Sequence, residues 1–460
     1  MFEGCGDGEL LDLMGDAQQV ERAASAQRLL AIGQYTVRRI AEQTDEHNFW
    51  AVDGWEQIAA EISAQLGISR KRASSQMSDG QSLIERLPKL AAVFAAGAVD
   101  LRVIAAAIYR TDLIVDEAAL ASVDAQLADK APGWNKLSRE RVAELVDWMV
   151  IEADPEAVRV ATQRDADRHI AVRPGANGTA EIYGQVRGPD AAVFDTALDE
   201  LAATVCPNDP RTTAQRRTDA LSPLSARATS MACLCGAPDC PAAGAQVPST
   251  PVVINVIAEA ATVDGTSTKP GYLPGYGAVP AATVTELANS ASVRPVPTAK
   301  DLAAEPHYRP SAALTRFIQS RDLTCTFPGC DQRAVGCDID HSVPYPHGPT
   351  HPSNTGLKCR IHHLLKTFCG WADSQRPDGT VVWTSPRGRT YTTAPAGARF
   401  FPQLATPTET LTLPISPPPD PNRDLAMPQR KRTRTQDRAY RIEYERAQNR
   451  ARYAADPPPF

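Results

Sequence analysis

Five of the eight histidines in this chain fall in one short run, CDIDHSVPYPHGPTHPSNTGLKCRIHHLLKTF, which extends from Cys337 to Phe368. Two of the ten cysteines are in the same run, and another pair, Cys325 and Cys330, precedes it in the segment CTFPGC. Imidazole and thiolate groups are the usual protein ligands of zinc and related metals. We therefore expect this part of the chain to fold around a metal ion.

The cysteines and one histidine have the spacing of a tetrahedral zinc site. Such a site requires two soft ligands near one end and two more about thirty residues later. If LKCRIHHLLK is helical, from a start at Pro352 and Ser353, residues that are three positions apart share one face of the helix. The predicted ligands of a structural zinc ion are Cys325, Cys330, Cys359 and His362.

The same run contains what hydrolysis of a phosphodiester needs. The carboxylate of Asp340 is a hard ligand suited to Mg²⁺ or Mn²⁺, and the imidazole of His341 can take a proton from water near neutral pH. Adjacent residues of a strand point to opposite faces, so this pair must lie where a strand ends. The prolines of SVPYPHGP end the strand there. Asn354 can hold the loop or His341 in place, or bind the metal.

The order Asp340, His341, Asn354 and His363, framed by a cysteine pair and by KCRIHH, resembles the HNH endonucleases. The resemblance implies a β-hairpin followed by a helix around one divalent metal ion. It implies that Asp340 and His363 bind catalytic Mg²⁺ or Mn²⁺, that His341 is the general base, and that Asn354 positions the base or completes the metal shell. The C-x4-C pair, where C-x2-C is commoner, and His362, where many members have a cysteine, are departures that concern the structural zinc site.

A length of 460 residues predicts two or three domains with linkers. Apolar residues at spacings of three and four indicate that most of the first two hundred residues are helical, apart from a β-hairpin around PGANG. The predicted fold is a mainly α amino-terminal domain with a small β element, a small zinc-stabilised ββα-metal (HNH) module and a disordered carboxyl-terminal tail. The predicted boundaries are a helical domain at 1–205, a flexible Ala/Pro/Cys insertion at 206–250, a mixed α/β connecting region at 251–305, an HNH nuclease module at 306–400 and a Pro-rich, then basic tail at 401–460.

Within the connecting region, PVVINVIAEAATV is predicted to be a strand, and a helix is predicted to start near Pro280. The layout of a helical domain, PGYGAVPAATVTEL and the metal module is similar to a multicopy actinobacterial repeat-element family. The amino-terminal domain of that family has no established function, so this resemblance implies an architecture and no activity.

Three further features have two interpretations each. The basic segment from Arg70 to Arg72 follows a helix and the Gly67 turn, which is either a DNA-reading helix-turn-helix or a structural corner with a solvated basic face. The basic segment from Arg430 to Arg452 either binds phosphates, becoming helical when bound, or is a solubilising disordered tail.

A second group of thiols consists of Cys206, Cys233, Cys235 and Cys240. These residues either bind zinc or are incidental free thiols, and their unfamiliar spacing favours free thiols. His347 and His351 are interpreted as loop residues, with contact to a phosphate as the less favoured alternative.

The overall composition bears on the compartment and the partners. No apolar run is long enough to span a membrane, and the acidic start of the chain lacks the pattern of a secretory signal. These observations predict a cytoplasmic protein with reduced thiols, in which clustered cysteines bind metal rather than form disulfides. A net charge of -6 leaves local binding of nucleic acid open.

The leading prediction is a metal-dependent HNH endonuclease that acts on double-stranded DNA. The alternative is a non-catalytic, zinc-stabilised nucleic-acid-binding protein of a mobile or repeat element. A structural protein with a zinc knuckle for protein contacts is a third interpretation. The first is favoured because binding alone does not need a general base beside a carboxylate, and both Asp340 and His341 are present.

Overall fold

The computed structural model describes residues 1–159, 168–175, 179–243, 254–289, 291–412 and 426–455. The chain forms two compact units. The larger unit combines Met1–Val160 with Arg294–Phe460, and the smaller unit is Ala161–Val293. The fold is mainly helical, with small antiparallel sheets.

The larger unit begins with seven helices, as the apolar periodicity predicted. They are α1 (Asp7–Ala41), α2 (Gly54–Leu66), α3 (Arg70–Glu85), α4 (Pro88–Ala95), α5 (Leu101–Thr111), α6 (Glu117–Lys130) and α7 (Arg139–Ala153). Four of these helices start at a side chain that accepts a backbone N–H of the first turn, which satisfies a donor that the helix cannot. The capping residues are Asp53, Ser69, Asp116 and Ser138. Apolar side chains of six helices, all except α2, form one continuous core.

Helices α1 and α3 approach each other closely at two glycines. A Cβ atom on Gly33 would lie 2.4 Å from backbone atoms of Gly80, and one on Gly80 would lie 2.7 Å from the backbone of Gly33. Separations this short leave no room for a side chain, so the two helices pack backbone against backbone here.

The smaller unit starts with the predicted hairpin. Strands β1 (His169–Pro174) and β2 (Ala180–Gln185) pair antiparallel, and residues 176–178 of the turn lie outside the described residues. The elements that follow are α8 (Gly188–Ala202), α9 (Thr213–Asp219), α10 (Leu221–Ser225), α11 (Ala260–Val263), β3 (Gly271–Leu273), β4 (Gly277–Val279) and α12 (Ala281–Ala288). The helix α12 begins after Pro280, as predicted.

Two segments of the smaller unit differ from expectation. Residues 206–243, which we expected to be flexible, contain α9 and α10 and pack side chains against α8 in a small core. The described part of PVVINVIAEAATV is not a strand: Ile257 makes a single bridge to Tyr272, and α11 follows. The β-branched composition predicted a strand, but in the described part of this segment only Ile257 pairs with another strand.

The chain then returns to the larger unit. Its elements are α13 (Ala312–Asp322), β5 (Cys337–His341), β6 (Thr355–Cys359), α14 (Arg360–Phe368), β7 (Ala372–Gln375), β8 (Val381–Thr384), β9 (Thr390–Thr393) and α15 (Arg434–Ala455). Strands β5 and β6 form an antiparallel hairpin in which His341 lies opposite Thr355. Strands β7, β8 and β9 form a separate three-stranded sheet. Helix α14 starts at Arg360 rather than near Pro352, because the residues before it pair with β5.

The basic tail is not disordered over its described part, residues 426–455. Helix α15 packs on the amino-terminal helices, where Ile442 is buried and the Asn449 amide donates to the backbone carbonyls of Glu156 and Val158. Its arginines pair with carboxylates: Arg446 lies 2.7 Å from Asp154, and both Arg438 and Arg441 contact Asp112. The expectation of disorder is wrong because these acidic partners are distant in sequence and could not be foreseen.

The close crossing of α1 and α3 gives a test of the fold. Gly33→Ala should destabilise the larger unit by about 1–3 kcal/mol, because the added methyl group overlaps the backbone of Gly80. Gly15→Ala is the matched control in the same helix, since a Cβ there meets nothing within 4 Å, and it should be neutral or slightly stabilising. Urea unfolding followed by circular dichroism would measure both. Equal midpoints for the two variants would contradict the packing described.

Candidate functional site

The predicted zinc ligands come together between α13 and α14. Their ligand atoms all lie within 4.8 Å of one another. Cys325 and Cys330 are on the loop after α13, Cys359 ends β6, and His362 is in the first turn of α14. The Nδ1 atom of His362 lies 3.1 Å from the sulfur of Cys359 and 3.4 Å from that of Cys325. Four residues from three segments therefore surround one point.

The loop that carries the first two cysteines is a tight turn against the α2–α3 corner. The N–H of Cys325 donates to the carbonyl of Gln332, and Gly329 has a φ of 75°. A Cβ on Gly329 would lie 2.4 Å from the carbonyl oxygen of Ile68, in that corner. Only glycine fits this position on both counts. The corner that could have been a DNA-reading motif thus packs against the cysteine loop, and its Arg70 pairs with Glu56 at 2.7 Å.

Aromatic side chains enclose the cysteine–histidine cluster. The ring of His362 stacks on Phe327, with centroids 3.8 Å apart and planes 6° from parallel. Phe327 in turn meets Trp371 and Trp383 edge-on. Cluster and aromatic rings belong to one core that also includes Trp50 of the amino-terminal part. The cluster is therefore a structural centre of the larger unit.

The thiols of the cluster differ in pKa. Burial raises the pKa of the Cys325 thiol well above its usual value. Hydrogen bonds from Cys325 and Cys330 hold the pKa of Cys359 far below its usual value. Without a metal ion, such a cluster holds one thiolate that is hydrogen-bonded to protonated thiols. Three thiolates so close together require a bound cation. The donor set of three sulfurs and one imidazole nitrogen suits zinc.

The predicted catalytic residues lie near the loop end of the β5–β6 hairpin, where Asp340 and His341 pair with Gly356 and Thr355, beside α14. The Nε2 atom of His363 is 3.5 Å from Oδ1 of Asp340. Its Nδ1 atom is 2.9 Å from Oδ2 of Asp338. The Asp338 carboxylate therefore holds the His363 ring from one side, a contact that the sequence analysis did not identify. The signal was available, since Asp338 and Asp340 are two apart on a strand and share a face.

Two lysines and a second aspartate surround Asp340. Lys358 lies 3.3 Å from Oδ2 of Asp340 and 3.1 Å from Asp373, and Lys366 lies 2.8 Å from both carboxylates. Burial by itself would raise the pKa of Asp340, but Lys358, Lys366 and His363 hold it far below its usual value. Asp340 is therefore ionised at neutral pH, with its Oδ2 atom bonded to the lysines and its Oδ1 atom facing His363.

His341 is the last residue of β5, as predicted, and its ring is held in one tautomer. Its Nε2 atom lies 2.8 Å from the hydroxyl oxygen of Thr350, and that hydroxyl donates its single hydrogen to the carbonyl of His307. The Nε2 atom must therefore be the donor, which leaves a lone pair on Nδ1. Burial lowers the pKa of His341, so the ring is neutral near pH 7. The residue is only 3% exposed and stacks with Tyr308.

Asn354 fixes the loop that joins the two strands. Its side chain accepts the N–H of Val343 at 2.8 Å and donates to the carbonyls of Val343 and Pro349. These bonds support the first of its predicted roles, which is to hold the loop that follows His341. His351 is also a loop residue, buried in the turn, whereas His347 is exposed.

A second cluster lies in the smaller unit. The sulfurs of Cys206, Cys233, Cys235 and Cys240 also lie within 4.8 Å of one another. The interpretation of these residues as incidental free thiols does not account for their gathering at one point. Each of the two clusters could hold a metal ion such as zinc.

Removal of one ligand tests the cluster in the larger unit. Cys359→Ser should bind one zinc ion fewer per chain than the parent and should loosen the larger unit, because metal binding and folding are coupled. Zinc content by mass spectrometry and resistance to limited proteolysis would measure the two effects. Cys369→Ser, which alters a cysteine outside both clusters, is the control. Unchanged zinc content in Cys359→Ser would exclude this ligand set.

Among the described residues, no helix is both long and apolar enough to cross a membrane. The chain as a whole resembles proteins of Mycobacterium tuberculosis. The uncharacterized protein Rv2100 of strain H37Rv is 43% identical over 502 residues, which cover 99% of this chain and 90% of that protein. The uncharacterized protein Rv3776 of the same strain is 43% identical over 469 residues, covering 96% and 90% of the two chains. No solved structure matches the chain.

A family model described as a domain of unknown function, DUF222, matches residues 16–322. The match includes the amino-terminal helices and the smaller unit, and it ends with α13, immediately before the cysteine loop. Since this match spans more than half of the chain and relatives of 43% identity cover nearly all of it, the chain belongs to the DUF222 family.

Proposed function

We propose that this protein is a metal-dependent HNH endonuclease that hydrolyses phosphodiester bonds of double-stranded DNA. The observation that carries the proposal is the arrangement of His341 beside the pair formed by Asp340 and His363. A neutral imidazole with a lone pair on Nδ1 follows directly after an ionised carboxylate that faces a second imidazole. Protein stability alone does not call for a general base beside a metal-binding carboxylate, whereas metal-dependent hydrolysis of a phosphodiester uses both.

In this proposal, Asp340 and His363 hold Mg²⁺ or Mn²⁺. A carboxylate oxygen and an imidazole nitrogen 3.5 Å apart are suitable ligands for one ion that keeps several water molecules. When bound, the ion neutralises charge on the scissile phosphate and the leaving oxygen. Asp338 orients the His363 ring, and the lysines beside Asp340 keep its carboxylate ionised.

His341 is the proposed general base, which accepts a proton from water at Nδ1. The Thr350 hydroxyl fixes the tautomer that can do so. The lowered pKa of His341 keeps the ring unprotonated at neutral pH, which a base requires. Asn354 contributes by holding the loop after His341, so that the ring stays at the end of β5.

One observation favours a second candidate, a non-catalytic zinc-stabilised protein that binds nucleic acid. The His341 ring is nearly buried and stacks with Tyr308, so this arrangement leaves a substrate little access to the proposed base. A binding protein that retained the fold without the activity would not need this access. A cytoplasmic location suits both candidates, because thiol ligands stay reduced there.

Replacement of the proposed base separates the two candidates. The purified parent should nick or linearise supercoiled plasmid in Mg²⁺ or Mn²⁺ but not in EDTA. His341→Ala should cleave about 10²–10⁴-fold more slowly, the usual contribution of a general base, while it keeps its zinc. His347→Ala, on the same loop but exposed, should cleave like the parent. A His341→Ala variant as active as the parent would show that the base is misassigned, and an inactive parent that shifts DNA in a gel would favour the binding protein.

The orienting carboxylate gives an independent test. Asp338→Asn should raise the Mn²⁺ concentration needed for half-maximal cleavage by about 10–100-fold, because the partner of a metal-binding histidine has lost its charge. Cleavage at saturating Mn²⁺ should be largely restored. Asp331→Asn, an exposed aspartate outside the hairpin, is the control. If Asp338→Asn needs no more Mn²⁺ than the control, His363 is not positioned in this way.

A further inference from the structure

The four cysteines of the smaller unit converge from two separate segments. Cys206 follows α8, and the other three belong to the loop 231–243 after α10. The sulfurs of Cys206 and Cys233 are 3.5 Å apart, and all four sulfurs lie within 4.8 Å of one another. Sulfurs around a single ion at the zinc–sulfur distance of about 2.3 Å are about 3.8 Å apart in a tetrahedron. The spacing therefore fits one ion, and a multi-iron cluster would need the sulfurs to lie further apart.

Backbone hydrogen bonds shape the loop around the sulfurs. The N–H of Cys233 donates to the carbonyl of Ala242 at 3.0 Å, and that of Cys240 donates to Ala237 at 3.2 Å. Gly236, between them, has a φ of 71°, a conformation that favours glycine. Cys233, Cys235 and Cys240 thus lie in a folded turn that backbone hydrogen bonds hold in shape.

A part-buried ion pair on the Cys206 segment, between Asp209 and Arg211, also bonds to this loop. The Asp209 carboxylate accepts the N–H of Leu234 at 2.9 Å and two bonds from the Arg211 guanidinium, at 2.9 and 2.8 Å. Arg211 also donates to the carbonyl of Ala232 at 2.8 Å. Both segments are therefore anchored beside the thiols by groups outside the thiol cluster. Such supporting contacts are typical of metal sites, in which surrounding bonds orient the ligands.

The apolar core around these thiols is small. Its buried members are Leu198, Leu201, Val205, Ala220, Met231 and Cys233. A core of this size rarely stabilises a fold without a cross-link. A disulfide between Cys206 and Cys233 would need a sulfur–sulfur distance of about 2.05 Å, well below the 3.5 Å observed. A bound metal ion is the cross-link that the geometry permits.

We propose that Cys206, Cys233, Cys235 and Cys240 bind one zinc ion in a closed site of four thiolates, which staples the segment after α8 to the loop 231–243. Four protein ligands leave no open position, so the role of the ion is structural rather than catalytic. The inference is independent of the endonuclease proposal, because none of its residues belongs to the hairpin or to α14.

Metal content of the full chain tests the inference. After dialysis against metal-free buffer, the parent should retain about two zinc ions per chain, one for each cluster. Cys240→Ser should retain about one, and Cys5→Ser, outside both clusters, should retain two. One zinc ion in the parent with no change in Cys240→Ser would overturn the proposal. Iron with acid-labile sulfide in the parent would also overturn it.

If Cys240→Ser does not fold, replacement of zinc by cobalt in the parent tests the same proposal. The intensity of thiolate-to-cobalt charge transfer scales with the number of metal–sulfur bonds. Four thiolates in the smaller unit plus three in the larger unit make seven such bonds per chain. An intensity that corresponds to seven bonds supports the proposal. An intensity that corresponds to three overturns it.

Discussion

A network of four charged side chains beside the last turn of α14 holds the candidate site together. Lys358 of β6, 1% exposed on its side chain, and Lys366 of α14 lie between Asp340 of β5 and Asp373 of β7. Four elements are thus tied by ion pairs in a place from which water is largely excluded. Loss of one partner would leave an uncompensated buried charge, at a cost of about 3–5 kcal/mol. The same pairing keeps the Asp340 carboxylate ionised, so one network supports both the fold of the hairpin and the proposed chemistry.

Contacts between segments far apart in sequence stabilise the larger unit. In the larger unit, the cysteine–histidine cluster is enclosed by Phe327 and two tryptophans, and the cysteine loop meets the α2–α3 corner at Gly329. Helix α15 adds a contact between the end of the chain and the amino-terminal helices. Many of its ion pairs are partly exposed and contribute little singly, whereas the buried Ile442 and Asn449 fix its position. Its arginines, which could otherwise contact phosphates, are largely neutralised by acidic side chains.

Local chemistry made much of this architecture predictable. The helices of the amino-terminal part, the hairpin at β1–β2 and the ligands of the cluster in the larger unit followed from periodicity, turn residues and spacing. Contacts between residues far apart in sequence could not be predicted in this way. The acidic partners of α15 are some three hundred residues away in sequence, as between Arg446 and Asp154, and no local pattern indicates such pairing. The second group of thiols was recognised as a possible zinc site, but the unfamiliar C-x-C-x4-C spacing of Cys233, Cys235 and Cys240 favoured free thiols, and only the fold shows that all four sulfurs converge.

We propose that Asp340 and His363 hold the divalent ion with which the chain cleaves DNA. The most direct measurement is a crystal structure of the protein in Mn²⁺, with anomalous diffraction recorded on both sides of the manganese absorption edge. The proposal predicts one manganese peak within bonding distance of Asp340 Oδ1 and His363 Nε2, distinct from the zinc sites. A manganese peak elsewhere, or none at concentrations that support cleavage, would contradict it.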